Sequence, residues 1–147
     1  MKFNILLCLA LCFFTATTAQ TNAENFTKLE GYLNKVKGKY IQGLAIVEQR
    51  VNENKITFTS GSIGVNSSAV HTNLKWNDFY FFIKADEDSK QVATLQLNFE
   101  EPTDLVYYEG GKKTSSETSK QVLLYVLTSD KKAVERLLEK VQKQNAR

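Results

Sequence analysis

Cysteine, histidine and proline are scarce in this sequence. Beyond Cys12 there is no cysteine, and the whole chain has one histidine and one proline. The segment that follows Cys12 can therefore form no disulfide and offers no thiol nucleophile, so its stability must come from a hydrophobic core. One histidine without cysteine also falls short of the ligand sets of zinc sites, and we predict neither a metal nor a cofactor.

The motifs of nucleophilic catalysis are missing as well. There is no Gly-x-Ser-x-Gly segment and no glycine-rich phosphate loop of the required spacing. The lone histidine, His71, lies in a polar stretch, Asn66–Asn73, that reads as an exposed loop. We therefore predict that the protein is not an enzyme. The least favoured alternative is a hydrolase that uses His71 with Ser67 or Ser68, because a catalytic triad would need this histidine beside a nucleophile.

Neither sign of charge is in large excess. The formal net charge is +3, whereas a nucleic-acid-binding protein needs a clustered basic face. The nearest basic cluster, Lys35, Lys37 and Lys39, falls at the end of a predicted helix, where lysines complement the helix dipole. We predict no nucleic-acid partner.

The first nineteen residues have the features of a secretory signal peptide. Lys2 precedes a short apolar run, Ile5–Phe14, and Thr17 and Ala19 stand before a predicted cut after Ala19. An uncleaved anchor helix is the alternative. We predict a secreted or periplasmic protein in which residues 20–147 form a single globular domain. No later segment approaches membrane-span length, so we expect no transmembrane segment after signal removal.

Two stretches have the apolar periodicity of amphipathic helices. The first is Ala23–Val36, with Asn22 as its predicted N-cap and Gly38 as a left-handed stop. The second follows an apolar strand at Val122–Leu127 and starts after Ser129 or Asp130, either of which can cap it. Its apolar stripe consists of the following residues: Ala133, Val134, Leu137, Leu138 and Val141.

About six strands lie between these helices. The predicted strands are Tyr40–Val51, Ile56–Thr59 with a bulge at Ser60-Gly61, Phe79–Ile83, Ala93–Phe99, Leu105–Tyr108 and Val122–Leu127. The predicted connections are the loop Asn66–Asn73, an acidic hairpin turn Asp86–Ser89, a turn at Pro102 and a long flexible loop Glu109–Lys120. Short connections imply antiparallel neighbours.

These elements predict an α+β fold. It consists of a strongly curled antiparallel meander, a half-open barrel, with an N-terminal helix and a C-terminal amphipathic helix that covers its apolar side. The meander, the Lys-Trp-Asn-Asp-Phe segment before the Phe79–Ile83 strand, and the passage through Thr-Ser-Asp-Lys-Lys into the last helix resemble bacterial domains with a pleckstrin-homology-like barrel. The resemblance covers about residues 40–142. Its lipid-binding members carry basic residues in the first hairpin loop, where this chain has Asn52, Glu53 and Asn54, so phosphoinositide binding is not implied.

The functional hypothesis is an exported, non-catalytic binding or interaction domain. Its ligand is an unknown protein or an apolar small molecule, and its candidate contact residues are Trp76, Tyr80, Phe82 and Tyr107. The alternative is a carrier of lipid or another apolar ligand, in which Tyr80, Phe82, Phe99 and Tyr107 line a barrel cavity. For the aromatic strand Phe79–Ile83 itself, burial in a packed core is the favoured interpretation, and a ring-lined ligand pocket is the alternative. The oligomeric state is left open, since exposed strand edges can pair.

Overall fold

The computed structural model describes residues 22–85 and 90–146. Its central element is one antiparallel sheet. Its strands are β1 (Tyr40–Ile41), β2 (Leu44–Val51), β3 (Lys55–Ser62), β4 (Val65–Thr72), β5 (Phe79–Ala85), β6 (Val92–Glu109) and β7 (Lys112–Leu127). Helix α1 covers residues 22–33 and continues into a 3-10 turn, Asn34–Val36. Helix α2 (Lys131–Asn145) follows a 3-10 turn, Thr128–Asp130. The predicted signal peptide and the predicted turn Asp86–Ser89 lie outside the described residues.

Strands β4 and β5 lie end to end along one edge of β6. Strand β5 pairs with the first half of β6, from Ala93 to Phe99, and β4 pairs with the second half, from Asp104 to Glu109. The other edge of β6 pairs with β7 along both halves. The seven strands therefore occupy six positions across a curled half-barrel. This confirms the predicted α+β class and its curled antiparallel sheet. The order is not a plain meander, because β4 and β5 both pair with β6 and not with each other.

The predicted turn at Pro102 is wrong, because β6 continues through it. The register with β7 shifts between Asn98 and Thr103, so the extra residues of β6 form an irregularity instead of a turn. Proline has no backbone N–H to donate, and it is tolerated at such an interruption of the ladder. The irregularity falls where the neighbour of β6 changes from β5 to β4, and it lets one strand serve both.

Two polar stretches predicted as loops are strands. Asn66–Asn73 lies almost wholly within β4, and Glu109–Lys120 contains the β6–β7 turn and the first half of β7. The turn itself consists of Gly110 and Gly111, whose φ angles are +56° and +79°. Positive φ at two consecutive residues is what a tight two-residue hairpin needs. The serines and threonines that follow are held by backbone pairing with β6.

Two boundaries in the first half of the sheet also differ from the prediction. The predicted strand Tyr40–Val51 is divided by a tight turn at Gln42-Gly43, which separates β1 from β2. The predicted bulge at Ser60-Gly61 is wrong for β3, which pairs regularly with β4 there. The irregularity lies in its other neighbour, β2, which has an extra residue, Val47, between the partners of Ser60 and Thr59. The chain reverses at Ile63 and Gly64. Gly64 has a φ of +83°, a conformation that glycine adopts without strain.

Both helices pack on the same face of the sheet. Their buried side chains meet those of β5, the first half of β6 and the second half of β7 in one hydrophobic cluster, which includes Phe26, Leu29, Leu33, Leu95, Leu97, Leu124, Val126, Val134, Leu138 and Val141. Burial of each such side chain stabilises the fold by about 1.5–3 kcal/mol. The predicted apolar stripe of α2 is therefore confirmed as core-facing at Val134, Leu137, Leu138 and Val141, whereas Ala133 is only partly buried.

The helix ends show how α1 and α2 are oriented. Asn25, near the start of α1, donates from Nδ2 to Oε1 of Gln144 near the end of α2 at 3.1 Å. Lys35, just beyond α1, lies 3.0 Å from the Asp130 carboxylate at the start of α2. The helices are therefore antiparallel. Asp130 stands at the start of α2 but makes no capping hydrogen bond, and Ser129 lies inside the preceding 3-10 turn. Asn22 is already helical, so both cap predictions are wrong.

A side-chain amide closes the half-barrel between β2 and β7. Gln49 on β2 is fully buried. Its Oε1 accepts the N–H of Tyr125 at 2.7 Å, and its Nε2 donates to the carbonyl oxygens of Tyr125 at 2.8 Å and Leu33 at 2.7 Å. The side chain of Asn34 makes the same two-point contact with the Gln49 backbone, at 2.9 and 2.7 Å. Side-chain amides thus make the hydrogen bonds between β2 and β7 that backbone pairing would make between neighbouring strands.

Candidate ligand-binding site

A cavity of about 310 Å³ opens on the face of β7 that points away from the helices. On β7, Leu124 and Val126 are buried in the core, and the alternation of side chains places Leu123 and Tyr125 on the other face. The lining includes Phe58, Ala69, His71, Leu105, Tyr107, Glu117, Ser119, Gln121, Leu123 and Tyr125. We call this space the His71 cavity.

Three aromatic rings from three different strands stand in its wall. They are Phe58 of β3, Tyr107 of β6 and Tyr125 of β7, and the rings of Phe58 and Tyr125 lie 5.4 Å apart in a tilted arrangement. Leu105 and Leu123 add aliphatic surface. These side chains give a ligand an apolar surface on which a ring or a short hydrocarbon can pack.

His71 is buried in β4, so the prediction that it is an exposed loop residue is wrong. Its side chain is 6% exposed, and Nδ1 lies 2.9 Å from Oγ1 of Thr103. The Thr103 hydroxyl donates its only proton to the carbonyl oxygen of Ser119 at 2.9 Å. It must therefore accept from Nδ1–H, and this fixes the tautomer of His71 with Nε2 unprotonated. Burial lowers the pKa of His71 to about 4, so the imidazole is neutral at pH 7.

Among the described residues of the cavity wall, Glu117 is the one with a charged side chain. The Tyr107 hydroxyl donates to its carboxylate at 3.1 Å. Burial, together with this hydrogen bond and the charge of Glu117, raises the pKa of Tyr107. Tyr107 is therefore a neutral donor at pH 7 that holds the Glu117 carboxylate at the edge of the cavity.

A second cavity of about 280 Å³ adjoins the first. The two share Phe58, Ala69 and Tyr107, and the second is otherwise lined mainly by serines, Thr114 and Glu109. A substitution at Ala69 therefore changes both spaces at once.

The four predicted contact residues do not converge on one surface. Trp76 is buried in the core, where its ring centroid lies 4.8 Å from that of Phe26, and its Nε1 donates to the carbonyl oxygen of Glu53 at 2.8 Å. Tyr80 is 58% exposed on β5, and Phe82 lies under the Lys84 ammonium at 5.0 Å. Only Tyr107 belongs to the wall of the His71 cavity.

The aromatic set expected of a barrel carrier is likewise divided. Phe99 is 2% exposed and packs at 5.5 Å from Trp76 in the core, on the helix side of the sheet. Phe58, His71, Glu117 and Tyr125 were not among the contact residues predicted from the sequence. Glu117 could have been placed from the pair Gly110-Gly111. A tight hairpin turn at these two glycines predicts that the residues after it, including Glu117, belong to a strand.

The serines proposed for a hydrolase lie out of reach of His71. Ser68 has the opposite strand parity, and its Oγ lies 2.9 Å from Oγ1 of Thr59. Ser67 shares the parity of His71 but is four residues away, about 13 Å along a strand. The hydroxyl next to the imidazole is that of Thr103, whose proton is held by a backbone carbonyl.

No family model, curated protein or solved structure matches this chain. The resemblance to pleckstrin-homology-like barrels stays a prediction. Neither helix within the described part of the chain is long and apolar enough to cross a membrane. Among residues 22–85 and 90–146, no three His, Cys, Asp or Glu side chains are grouped so that they could hold a metal ion.

Proposed function

We propose that this protein is an exported, non-catalytic binding domain and that the His71 cavity holds its ligand. The observation that carries this proposal is a neutral imidazole in the cavity wall whose Nε2 is the ring nitrogen able to accept a hydrogen bond. Nδ1 is bound to Thr103, and the hydrogen bonds found among the described residues include none to Nε2. Because the ring lines the cavity, a ligand with an N–H or O–H group can supply the missing donor.

The other wall residues define the ligand further. The Glu117 carboxylate accepts hydrogen bonds and attracts positive charge, whereas Phe58 and Tyr125 favour an apolar body. We therefore infer a small ligand, or one side chain of a partner protein, that combines an aromatic or aliphatic group with a donor or a cation. The volume of about 310 Å³ is at the lower end of the usual range of about 300–1,000 Å³.

A carrier of apolar molecules is the second candidate. The three rings and two leucines of the cavity wall favour it, although these residues are not the aromatic set expected from the sequence. A carrier would bind hydrocarbons that have no donor group as tightly as those that have one, and this difference separates the two candidates.

The binding proposal is tested with three naphthalene probes of equal ring size: 1-naphthylmethylamine, 1-methylnaphthalene and 1-naphthaleneacetate. We expect the amine to bind most tightly in a fluorescence titration and the acid most weakly, because of Glu117. Ala69→Leu fills the shared wall of both cavities and should lower the affinity for the amine at least about tenfold. Glu117→Gln should lower it by a similar factor and leave 1-methylnaphthalene binding unchanged.

Glu101→Gln is the matched control, because Glu101 is exposed on β6 and does not line the cavity. It should bind all three probes as the unmodified protein does. Equal affinity for the amine and 1-methylnaphthalene, with no effect of Glu117→Gln, would support the carrier instead. Absence of binding for all three probes at millimolar concentration would refute a cavity for ring-bearing ligands.

Export has its own test. N-terminal sequencing of the protein purified from the expressing cells should give Gln20 as the first residue, because the predicted cut follows Ala19. A chain that begins at Met1 and stays in the cytoplasmic fraction would contradict export without affecting the cavity proposal.

A further inference from the structure

A groove of about 620 Å³ runs between α1 and α2. Each helix contributes four residues at positions i, i+3, i+4 and i+7. Those of α1 and the turn after it are Lys28, Gly31, Tyr32 and Lys35, and those of α2 are Ala133, Arg136, Leu137 and Lys140. The groove shares no lining residue with the His71 cavity, so this interhelical groove is a separate surface.

The floor of the groove is apolar and its rims are cationic. Leu137 is 8% exposed, and Tyr32 is half-buried. All four charged residues of the lining are basic. Lys28 is paired with Glu24, and Lys35 with Asp130, whereas the ion pairs found among the described residues include neither Arg136 nor Lys140. Arg136 and Lys140 can therefore meet an acidic group from outside, although the charge of Lys140 also acts on Glu24.

Gly31 is the second observation that points to an external partner. Glycine in a helix interior destabilises the helix relative to alanine. A Cβ built at Gly31 would meet no described atom within 4 Å, so packing within this part of the chain does not require glycine here. The missing side chain lowers the groove floor and lets another backbone come close.

We propose that the interhelical groove docks an acidic amphipathic helix of a partner polypeptide. Each of the two antiparallel helices presents a stripe of residues at positions i, i+3, i+4 and i+7. Together the stripes form a binding surface about 10 Å long, on which the apolar stripe of a third helix can pack. Acidic residues on both sides of that stripe would face the cations on the two rims. A single carboxylate or phosphate would meet only part of the cation set, and a flat membrane would not reach the recessed floor.

The probe for this proposal is a synthetic amphipathic peptide with leucines at helical spacing and glutamates on both flanks. We expect calorimetry on the purified protein to show binding that weakens with added salt. A peptide of the same composition in scrambled order should bind at least about tenfold more weakly, and a peptide with lysines in place of the glutamates should not bind. Equal binding of the ordered and scrambled peptides would overturn the proposal.

Protein variants locate the binding surface. Arg136→Glu combined with Lys140→Glu should lower the affinity for the acidic peptide at least about tenfold. The matched control is Lys132→Glu with Lys143→Glu, which makes the same charge change on exposed α2 residues outside the groove and should leave the affinity nearly unchanged. If the control variant lost as much affinity as the groove variant, net charge alone would explain the binding, and the docking proposal would be overturned.

Gly31→Leu separates a filled groove from a damaged fold. It should abolish peptide binding while the thermal midpoint stays at or above that of the unmodified protein, because leucine is the better helix former and its Cβ meets no described atom within 4 Å. Retained binding would contradict the proposal. Binding to phosphatidylglycerol vesicles or to decanoate, lost on Arg136→Glu with Lys140→Glu and without any peptide binding, would assign the groove to a lipid and overturn the protein partner.

Discussion

Replacing Gln49 with leucine should lower the free energy of unfolding by about 3–5 kcal/mol. Leucine is of similar size and apolar, so it leaves no large void. However, the N–H and C=O of Tyr125 and the C=O of Leu33 each lose a hydrogen bond to a fully buried side chain. Each buried backbone group left without such a bond costs about 1–3 kcal/mol. Urea unfolding followed by circular dichroism measures the change.

Two further variants make this result specific. Gln49→Glu keeps the acceptor for the Tyr125 N–H but places a carboxylate against two carbonyl oxygens, so it should destabilise at least as much as leucine. Gln121→Leu, at an exposed position of the same sheet, should change stability by less than about 0.5 kcal/mol. A loss below about 1 kcal/mol for Gln49→Leu would show that the amide does not hold β2 against β7.

The helices could be predicted because each buries one stripe of its own residues. Leu29 and Leu33 of α1, and Leu138 and Val141 of α2, recur at the helical period and are all fully buried. The strands with one apolar face were visible for the same reason, as in the alternation of Leu95 and Leu97. In these segments the local sequence pattern and the tertiary burial coincide.

The polar strands could not be predicted from that pattern. The first half of β7 is almost entirely exposed, and β4 has one fully buried residue, His71. Their strand conformation depends on ladder hydrogen bonds with β6. The β6 partners of β4 lie far away in the sequence, whereas those of the first half of β7 lie just across the hairpin turn. Serine and threonine in such strands resemble loop composition, and Gly110-Gly111 was the signal of a tight hairpin that we interpreted as flexibility.

The candidate site is hidden from sequence analysis for a related reason. The run Phe79–Ile83 concentrates aromatic residues in one strand, yet Phe79 and Ile83 are buried in the core. The rings of the His71 cavity come singly from strands β3, β6 and β7. Likewise, His71 is held by Thr103, thirty-two residues away. Only the sheet register brings these residues together.

Stability should fall by about 2–3 kcal/mol between pH 7 and pH 4 because of His71 alone. The pKa of this group is lowered from 6.5 in the unfolded chain to about 4 in the folded protein, where the buried ring resists protonation. The unfolded chain therefore binds more protons in this window. The contribution of neutral His71 is fully present above pH 6.5 and is lost as the pH falls towards 4. Urea unfolding at a series of pH values measures it.

His71→Gln isolates this contribution from that of the carboxylates, which also titrate near pH 4. Glutamine stays neutral and can donate to Thr103, so the free energy of unfolding of this variant should depend less on pH between 6.5 and 4. Parallel curves for the two proteins would contradict a buried neutral imidazole. The same residue links stability to binding, because a ligand donor bound at Nε2 competes with the proton for that nitrogen. Saturating 1-naphthylmethylamine should therefore shift the acid unfolding transition of the unmodified protein to lower pH. The transition of His71→Gln should shift less.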